Sequence, residues 1–234
     1  MPDIEIVTLD RIDLKVESWS WPFAVERRAE IDRHFAELQR QRSGVWNGRA
    51  LMMNRYAIAG GVLRGTCFET DYASLCAWRH WQFPDANVYN VFAAAALQSA
   101  DGAYLIGEMA ADTAAAGLIY FPCGTPEPFD IGADGAVDLA GNLHRELREE
   151  TGLDIGALNE ASGWTFVRDG GYVALLKYVM ARQSAQELRD RIMAFLAGEA
   201  RPEFVDIRIV RSAGDFHPLM PPFVTGFLEH AWAK

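Results

Sequence analysis

The segment from Leu139 to Thr151 constrains the fold most strongly, because its pattern fits one kind of element. Leu143 and Leu147 recur four residues apart, which places both on one face of an α-helix. Gly152 can adopt the left-handed conformation that ends a helix, and Leu153 can supply the apolar contact that follows it. The segment therefore predicts a helix with one apolar face and a glycine at its carboxyl end.

The acidic residues of this helix form a pattern that helical stability alone does not favour. Glu149 and Glu150 flank Glu146 within about 60° on either side around the helix axis. Like charges at this spacing destabilise a helix, and acids near its carboxyl end also oppose the helix dipole. Arg145 and Arg148 offset this only in part. A solvated surface face is one interpretation, and a site for a hard divalent cation such as Mg²⁺ is the other.

The segment from Arg145 to Leu153 resembles the core of the Nudix box. The family pattern is Arg-Glu-U-x-Glu-Glu-x-Gly-U, where U is aliphatic, and this chain matches it at every specified position. The resemblance implies an α/β/α sandwich with a mixed sheet over roughly residues 87–234. It also implies hydrolysis of a nucleoside diphosphate linked to another moiety.

By this resemblance, the box residues take defined roles. Glu149 and Glu150 are metal ligands, and Glu146 is a ligand or helps to position the attacking water. Arg145 orients a glutamate, so Glu146 and Arg145 are the predicted catalytic residues. The implied cofactor is Mg²⁺, with Mn²⁺ as an alternative. Diphosphate cleavage needs charge neutralisation and an activated water, which a metal held by carboxylates supplies.

A further ligand often comes from outside the box in this family. We predict Glu203 for this role, because it begins the strand expected after the helix at residues 184–197. An exposed acid at the end of a strand is the alternative for Glu203. Asp206 and Glu160 are weaker candidates.

The upstream half of the motif departs from the family pattern. The family has a Gly and a Glu where this chain has Ile131 and Val137. Asp138 and Glu127 are candidates to replace the missing acid, although helix capping or exposure is an alternative for each. The departure puts the number of metal ligands, and with it the catalytic competence, in question.

The stretch before this loop, FPCGTPEP at residues 121–128, resembles the strand-to-loop glycine signature of the family with Gly124 displaced by an insertion. We predict that Gly124 and Glu127 contact the substrate.

The order of the remaining segments predicts a mixed sheet with helices on its faces. A buried strand at 87–98, a tight turn at Asp101-Gly102 and a returning strand precede the box helix. Strands near 163–168, 172–181 and 203–211 follow it, with a closing helix at 222–232. We predict a small N-terminal α+β lobe at residues 1–86 and a Nudix domain at 87–234.

Composition excludes several classes of function. The net charge of −10 disfavours general binding to nucleic acid, although it permits a nucleotide substrate. No apolar stretch is long enough to span a bilayer, so we expect no membrane partner. The cysteines at 67, 76 and 123 match no zinc pattern and indicate free thiols in a reducing compartment. We expect a cytoplasmic protein, with a homodimer as an expectation from the family resemblance.

The first 86 residues lie outside the usual Nudix core. Together with GTPEP at residues 124–128, they resemble, more weakly, a subgroup that includes UDP-sugar hydrolases. This implies a nucleoside diphosphate sugar as substrate, with UDP-sugar or ADP-ribose as the main candidates. Tyr72, Trp78 and Trp81 could stack on a base, and packing within the protein is the alternative for each.

Two functions of different classes remain. The first is an active hydrolase, which the complete segment from Arg145 to Leu153 favours. The second is a Nudix-fold module that binds a nucleotide or a protein without catalysis, which Val137 favours. A phosphate-binding P-loop is excluded because the chain has no Gly-x4-Gly-Lys-Ser/Thr segment.

Overall fold

The computed structural model describes residues 4–233. These residues form a sheet of nine strands and a second sheet of three strands. The strands are β1 (Glu5–Leu9), β2 (Arg11–Val16), β3 (Arg49–Ala59), β4 (Val62–Asp71), β5 (Asn90–Gln98), β6 (Tyr104–Met109), β7 (Ile119–Tyr120), β8 (Cys123–Gly124), β9 (Asn159–Glu160), β10 (Trp164–Asp169), β11 (Tyr172–Met180) and β12 (Phe204–Val210). The helices are α1 (Pro22–Glu26), α2 (Arg28–Gln41), α3 (Tyr72–His80), α4 (Leu139–Thr151), α5 (Ala185–Leu196) and α6 (Pro222–Trp232). The main path of the large sheet runs β1-β10-β11-β5-β6-β12, and β2-β4-β3 form a second sheet.

Strand β5 lies inside the large sheet because its apolar run can be buried on both faces. Successive side chains of a strand point to opposite faces. Ala93 and Ala95 accordingly join a core with residues of α4 and α5, whereas Ala94 and Ala96 join a second core with residues of α6. Strand β5 pairs in parallel with β11, and the other pairs of the main path are antiparallel. The structure thus confirms the predicted α/β class, a mixed sheet between helical layers.

The N-terminal part contains the smaller sheet and three helices. Strands β3 and β4 form a hairpin whose turn contains Gly60 and Gly61, with φ of 55° and 71°. Strand β2 pairs in parallel with β4. Helices α1 to α3 pack over this sheet around a third core that is rich in aromatic side chains, among them Trp21, Phe35, Phe68 and Trp78.

The two parts of the chain share structure across the predicted boundary. Strand β1 pairs with β10 at the edge of the large sheet. Leu14 and Leu63 of the smaller sheet are buried in the same core as Leu143 of α4. The division at residues 86 and 87 stays a prediction, and residues 1–3 of the predicted lobe lie outside the described residues.

Most of the predicted elements are present, and the box helix has the predicted bounds. Gly152 adopts a φ of 68° at its carboxyl end, and Leu153 is buried. The chain bends at Arg27, which separates α1 from α2. Strands β1 and β2 were not predicted. No helix within residues 4–233 is both long and apolar enough to cross a membrane.

Candidate active site

The short strand β8 brings a glycine against the box helix. Gly124 pairs with Ala93 of β5, so the sheet fixes its backbone. A Cβ atom added at Gly124 would collide with the carboxylate of Glu146. Glycine at this position therefore makes room for an acidic side chain of α4 beside the sheet.

Glu150 is the most deeply buried acid of the box, with 3% of its surface exposed. Its Oε2 accepts a hydrogen bond of 2.8 Å from the backbone N–H of Cys123. Burial raises the pKa of this carboxyl well above its usual range, and the nearby charges of Glu203 and Glu146 raise it further. One neutral donor does not compensate a buried carboxylate with acidic neighbours, which is the electrostatic setting that a bound cation would relieve.

Glu146 is half-buried between Gly124 and Arg145. Its Oε1 accepts a hydrogen bond of 2.6 Å from Nη1 of Arg145. Burial raises the pKa of Glu146 to about 7, despite the opposing effect of the Arg145 charge. Glu149 is exposed and lies 3.4 Å from the same Nη1 atom. The three acids of the box thus range from buried to exposed along one face of α4.

Arg145 is held by an acid that the sequence did not reveal. Its Nη2 lies 3.2 Å from Oδ2 of Asp130, which is buried. Asp130 also accepts hydrogen bonds from the backbone N–H of Glu127 at 2.9 Å and from Asn142 Nδ2 at 3.2 Å. Because Asp130 is itself fixed by these donors, it fixes the guanidinium that contacts Glu146.

The candidates for the missing upstream acid have other contacts. Val137 is half-buried, donates its backbone N–H to the carbonyl of Leu14 and packs against the core. Asp138 caps α4 by accepting from the backbone N–H of Gly141 at 2.9 Å. The loop that ends at Asp138 makes an antiparallel bridge between Ile131 and Val137. Because the two ends of the loop pair in this way, Asp130 forms the ion pair with Arg145, and residues 137 and 138 do not.

A cavity of about 730 Å³ opens beside the buried acids. Of the predicted site residues, Gly124, Glu127, Glu146, Glu150 and Glu203 line it. The backbone carbonyl of Glu203 accepts from the N–H of Ala110, which places the residue at the rim just before β12. Desolvation raises the pKa of Glu203 although its outer surface is exposed, and Glu149 and Asp112 add to the shift.

The weaker candidates for metal ligands lie elsewhere. Asp206 forms an ion pair with Arg189 at 2.6 Å. Glu160 contacts His144 at 2.6 Å and Lys177 at 3.2 Å. Neither acid lines the cavity, so the structure brings Glu203, and not these two, to the box acids.

Part of the cavity lining comes from the N-terminal part. Tyr72 lines the cavity, as do Trp46 and Arg79, and Tyr172 of β11 and Phe223 of α6 also contribute to the lining. Two other aromatic candidates do not reach it. Trp78 is fully buried in the N-terminal core, and Trp81 packs on Phe23 and Arg27. Both tryptophans therefore pack within the protein and do not line the cavity.

The donor set fits a hard divalent cation, because the acids that line the cavity offer carboxylate oxygens alone. Within residues 4–233, no group of three or more His, Cys, Asp or Glu side chains is positioned to hold a metal ion together. Protein groups occupy one oxygen each of Glu146 and Glu150. Residues that suit Mg²⁺ by chemistry and charge are thus present, and Arg145 and the backbone N–H of Cys123 are hydrogen-bond partners of two of them.

Comparisons with known proteins give two solved structures of low similarity to this chain. No family model and no curated protein matches the chain. One similar solved structure is a Nudix hydrolase from M. smegmatis, RenU, with 15% identity and a TM-score of 0.40, covering 62% of this chain and 89% of that one. Another is a MutT protein from Methanosarcina mazei Go1, with 16% identity and a TM-score of 0.41, covering 61% and 91% respectively. At this distance, a function has to be inferred from the side chains of this chain.

Proposed function

We propose that this chain is a Nudix-type hydrolase that depends on Mg²⁺ or Mn²⁺ and cleaves the diphosphate linkage of a nucleoside diphosphate derivative. The observation that carries the proposal is the meeting of Glu146, Glu150 and Glu203 at one cavity, next to an arginine fixed by Asp130. These acids come from distant parts of the sequence. Their shared desolvation and mutual repulsion disfavour the fold unless a positive ligand binds there.

Each residue has a role in this proposal. Glu146, Glu149, Glu150 and Glu203 would hold the cation, and Arg145 orients Glu146. When bound, the cation would neutralise charge on the diphosphate and lower the pKa of a bound water. The carboxylate oxygens that remain near that water would orient it and accept its proton.

The remaining predicted contact residues, Gly124 and Glu127, lie just before the loop that ends at Asp138. Gly124 keeps the backbone close to Glu146, so the substrate can approach the acids without meeting a side chain there. Glu127 lines the cavity, and its pKa is raised by burial although Arg145 opposes the shift. We propose that both residues contact the substrate.

The substrate that the cavity suits is a nucleoside diphosphate sugar, either a UDP-sugar or ADP-ribose. The volume of the cavity lies within the roughly 300–1,000 Å³ that is usual for small-molecule sites. The aromatic side chains of Trp46 and Tyr72 line it together with the acids, so one compartment offers surfaces for both a base and a diphosphate. A cytoplasmic location accords with three free cysteines, and a homodimer stays an expectation.

The competing function is a module that binds a nucleotide or a protein without hydrolysis. Val137 favours it, since a family acid is missing at this position. The contact of Asp130 with Arg145 weakens that objection, because an acid does reach the box arginine from another position.

The test is a hydrolysis screen with Mg²⁺ and with Mn²⁺ over UDP-sugars, ADP-ribose, dinucleotide polyphosphates and nucleoside triphosphates. Glu150→Gln is the inactive variant, and Glu199→Gln, an exposed acid after α5, is the matched control. We expect turnover of a diphosphate sugar by the wild type and Glu199→Gln, and loss in Glu150→Gln. A wild type that binds Mg²⁺ through Glu149 and Glu150 yet hydrolyses none of these compounds would favour the binding module.

A further inference from the structure

One arginine of the cavity wall has no acidic partner within residues 4–233. Three arginines line the cavity. Arg49 forms an ion pair with Glu69 at 2.6 Å, and Arg201 forms one with Asp112 at 3.4 Å. Arg79 instead donates from Nε to the hydroxyl of Tyr172 at 3.2 Å, a neutral acceptor. Its guanidinium therefore retains donors and an uncompensated positive charge.

The surroundings of Arg79 are apolar or phenolic. It lies near the end of α3, between the buried side chains of that helix and the large sheet. Its guanidinium carbon is 5.6 Å from the ring centre of Tyr172, and the charge also acts on Tyr72 and Tyr120. Burial raises the pKa values of Tyr72 and Tyr120, so both phenols stay neutral at physiological pH. A partly buried cation with only neutral neighbours is an unfavourable arrangement that an anionic ligand would relieve.

Arg79 is also close to the buried end of the acidic cluster. Its charge acts on the thiol of Cys123, whose backbone N–H binds Glu150. Arg79 nevertheless forms no ion pair with Glu150 within the described chain, although both line the same cavity. A ligand in the cavity would thus meet both carboxylates and a guanidinium.

We propose that Arg79 binds a phosphate group of the substrate in the same cavity as the carboxylates of α4. The inference rests on the proposed function and deepens it, because it assigns part of the diphosphate site to the N-terminal part of the chain. A guanidinium binds phosphate oxygens through two parallel N–H donors, and the contact with Tyr172 holds the plane of Arg79 for this purpose. Substrates without a phosphate at this position would lose that contact.

The test measures the binding of inorganic pyrophosphate to the full chain by calorimetry, once in EDTA and once with Mg²⁺. Arg79→Gln removes the charge, and Arg79→Lys keeps the charge but loses the planar fork. Arg64→Gln, an exposed arginine of β4 near Asp13, is the matched control. Circular dichroism melting of each variant establishes that it is folded, and Arg79→Lys serves if Arg79→Gln does not fold.

We expect roughly 10- to 100-fold weaker binding for Arg79→Gln, an intermediate loss for Arg79→Lys and wild-type binding for Arg64→Gln. Unchanged affinity in both Arg79 variants, or no binding of pyrophosphate to the wild type under either condition, would overturn the inference.

The same variants separate this inference from the proposed function. A wild type that binds pyrophosphate through Arg79 but hydrolyses no substrate supports the inference and contradicts the hydrolase. Hydrolysis with the same KM in the wild type and Arg79→Gln, together with equal pyrophosphate affinity, contradicts the inference and leaves the hydrolase in place.

Discussion

At the scale of single residues, the site is defined by acids whose surroundings oppose their ionisation. Glu150 is almost completely buried with one backbone donor, and Glu146 is half-buried beside Arg145. Glu203 adds charge from the rim. A protein gains no stability from this arrangement, so it is better explained by ligand binding than by folding.

The raised pKa of Glu146 predicts a stability effect that depends on pH. The folded pKa of about 7 lies above the unfolded value of roughly 4.3, so ionised Glu146 destabilises the folded state. This destabilisation is absent when the pH is below the pKa of Glu146 in the unfolded state. It grows as the pH rises towards 7 and reaches its full size above the folded pKa. Glu146→Gln should therefore raise the free energy of unfolding in EDTA at pH 8, by on the order of 1 kcal/mol, and raise Tm with it, whereas the gain at pH 5 should be much smaller. Thermal melts at both pH values measure this, and an equal gain at both would refute it.

Asp130 is predicted to act through Arg145. Asp130→Asn keeps the size of the side chain but removes the charge that holds the guanidinium. We expect kcat to fall and the Mg²⁺ requirement to rise by roughly 10-fold, with little change in substrate KM. Asp134→Asn, in an exposed acid of the same loop, is the control. Equal kcat and equal Mg²⁺ dependence in the wild type and Asp130→Asn would show that Arg145 needs no such partner.

At the scale of elements, helix α4 has an apolar packed face and capped ends, and it also carries a face of three glutamates. Leu143 and Leu147 are buried beneath it, Asp138 caps its start and Gly152 ends it. These structural features are complete without the glutamates. The helix can therefore present acids to the cavity because its packing and its ends stabilise it independently.

The carboxyl end of α4 gives a prediction about stability. Gly152 has a φ of 68°, and a Cβ at this position would meet the ring of Phe195 in α5. Gly152→Ala should lower the free energy of unfolding by about 1–2 kcal/mol, from the left-handed backbone alone, with more if the ring cannot move. Gly214→Ala is the control, because φ is not positive there and the nearest atom is at 3.4 Å. Urea unfolding compares the two, and equal stability would show that the helix end adapts to a side chain.

At the scale of the whole molecule, the cavity is formed by both parts of the chain. The box acids come from α4, and part of the remaining lining comes from α3 and from the segment before β3. Strand β1 forms an edge of the large sheet, and the smaller sheet shares a core with α4. The N-terminal part therefore supplies both structure and one wall of the site.

This arrangement predicts the behaviour of a truncated chain. Removal of residues 1–86 would leave one edge of β10 without its partner β1 and expose part of the core beneath α4. We expect residues 87–234 alone to lose cooperative unfolding and to bind a hydrophobic dye such as ANS. Circular dichroism melting and dye fluorescence measure this against the full chain. A cooperative transition with no dye binding would instead support an independent domain at 87–234.

The sequence by itself determined the elements whose cause is local. The spacing of Leu143 and Leu147 and the glycine at 152 predicted α4 with its correct ends, and the helix expected at residues 184–197 is α5. Of the acids that the box resemblance predicted, Glu146 and Glu150 line the cavity, whereas Glu149 is exposed and does not line it. Such features need contacts only within a few residues, so the linear pattern contains them.

Tertiary structure alone decided which distant groups meet those acids. Asp130 reaches Arg145 because the loop closes through the bridge between Ile131 and Val137. Arg79 lines the cavity because the end of α3 comes close to Tyr172 of the large sheet, and nothing in the pattern of α3 indicates a ligand. These positions depend on loop closure and packing between elements far apart in the chain, which no short sequence pattern encodes.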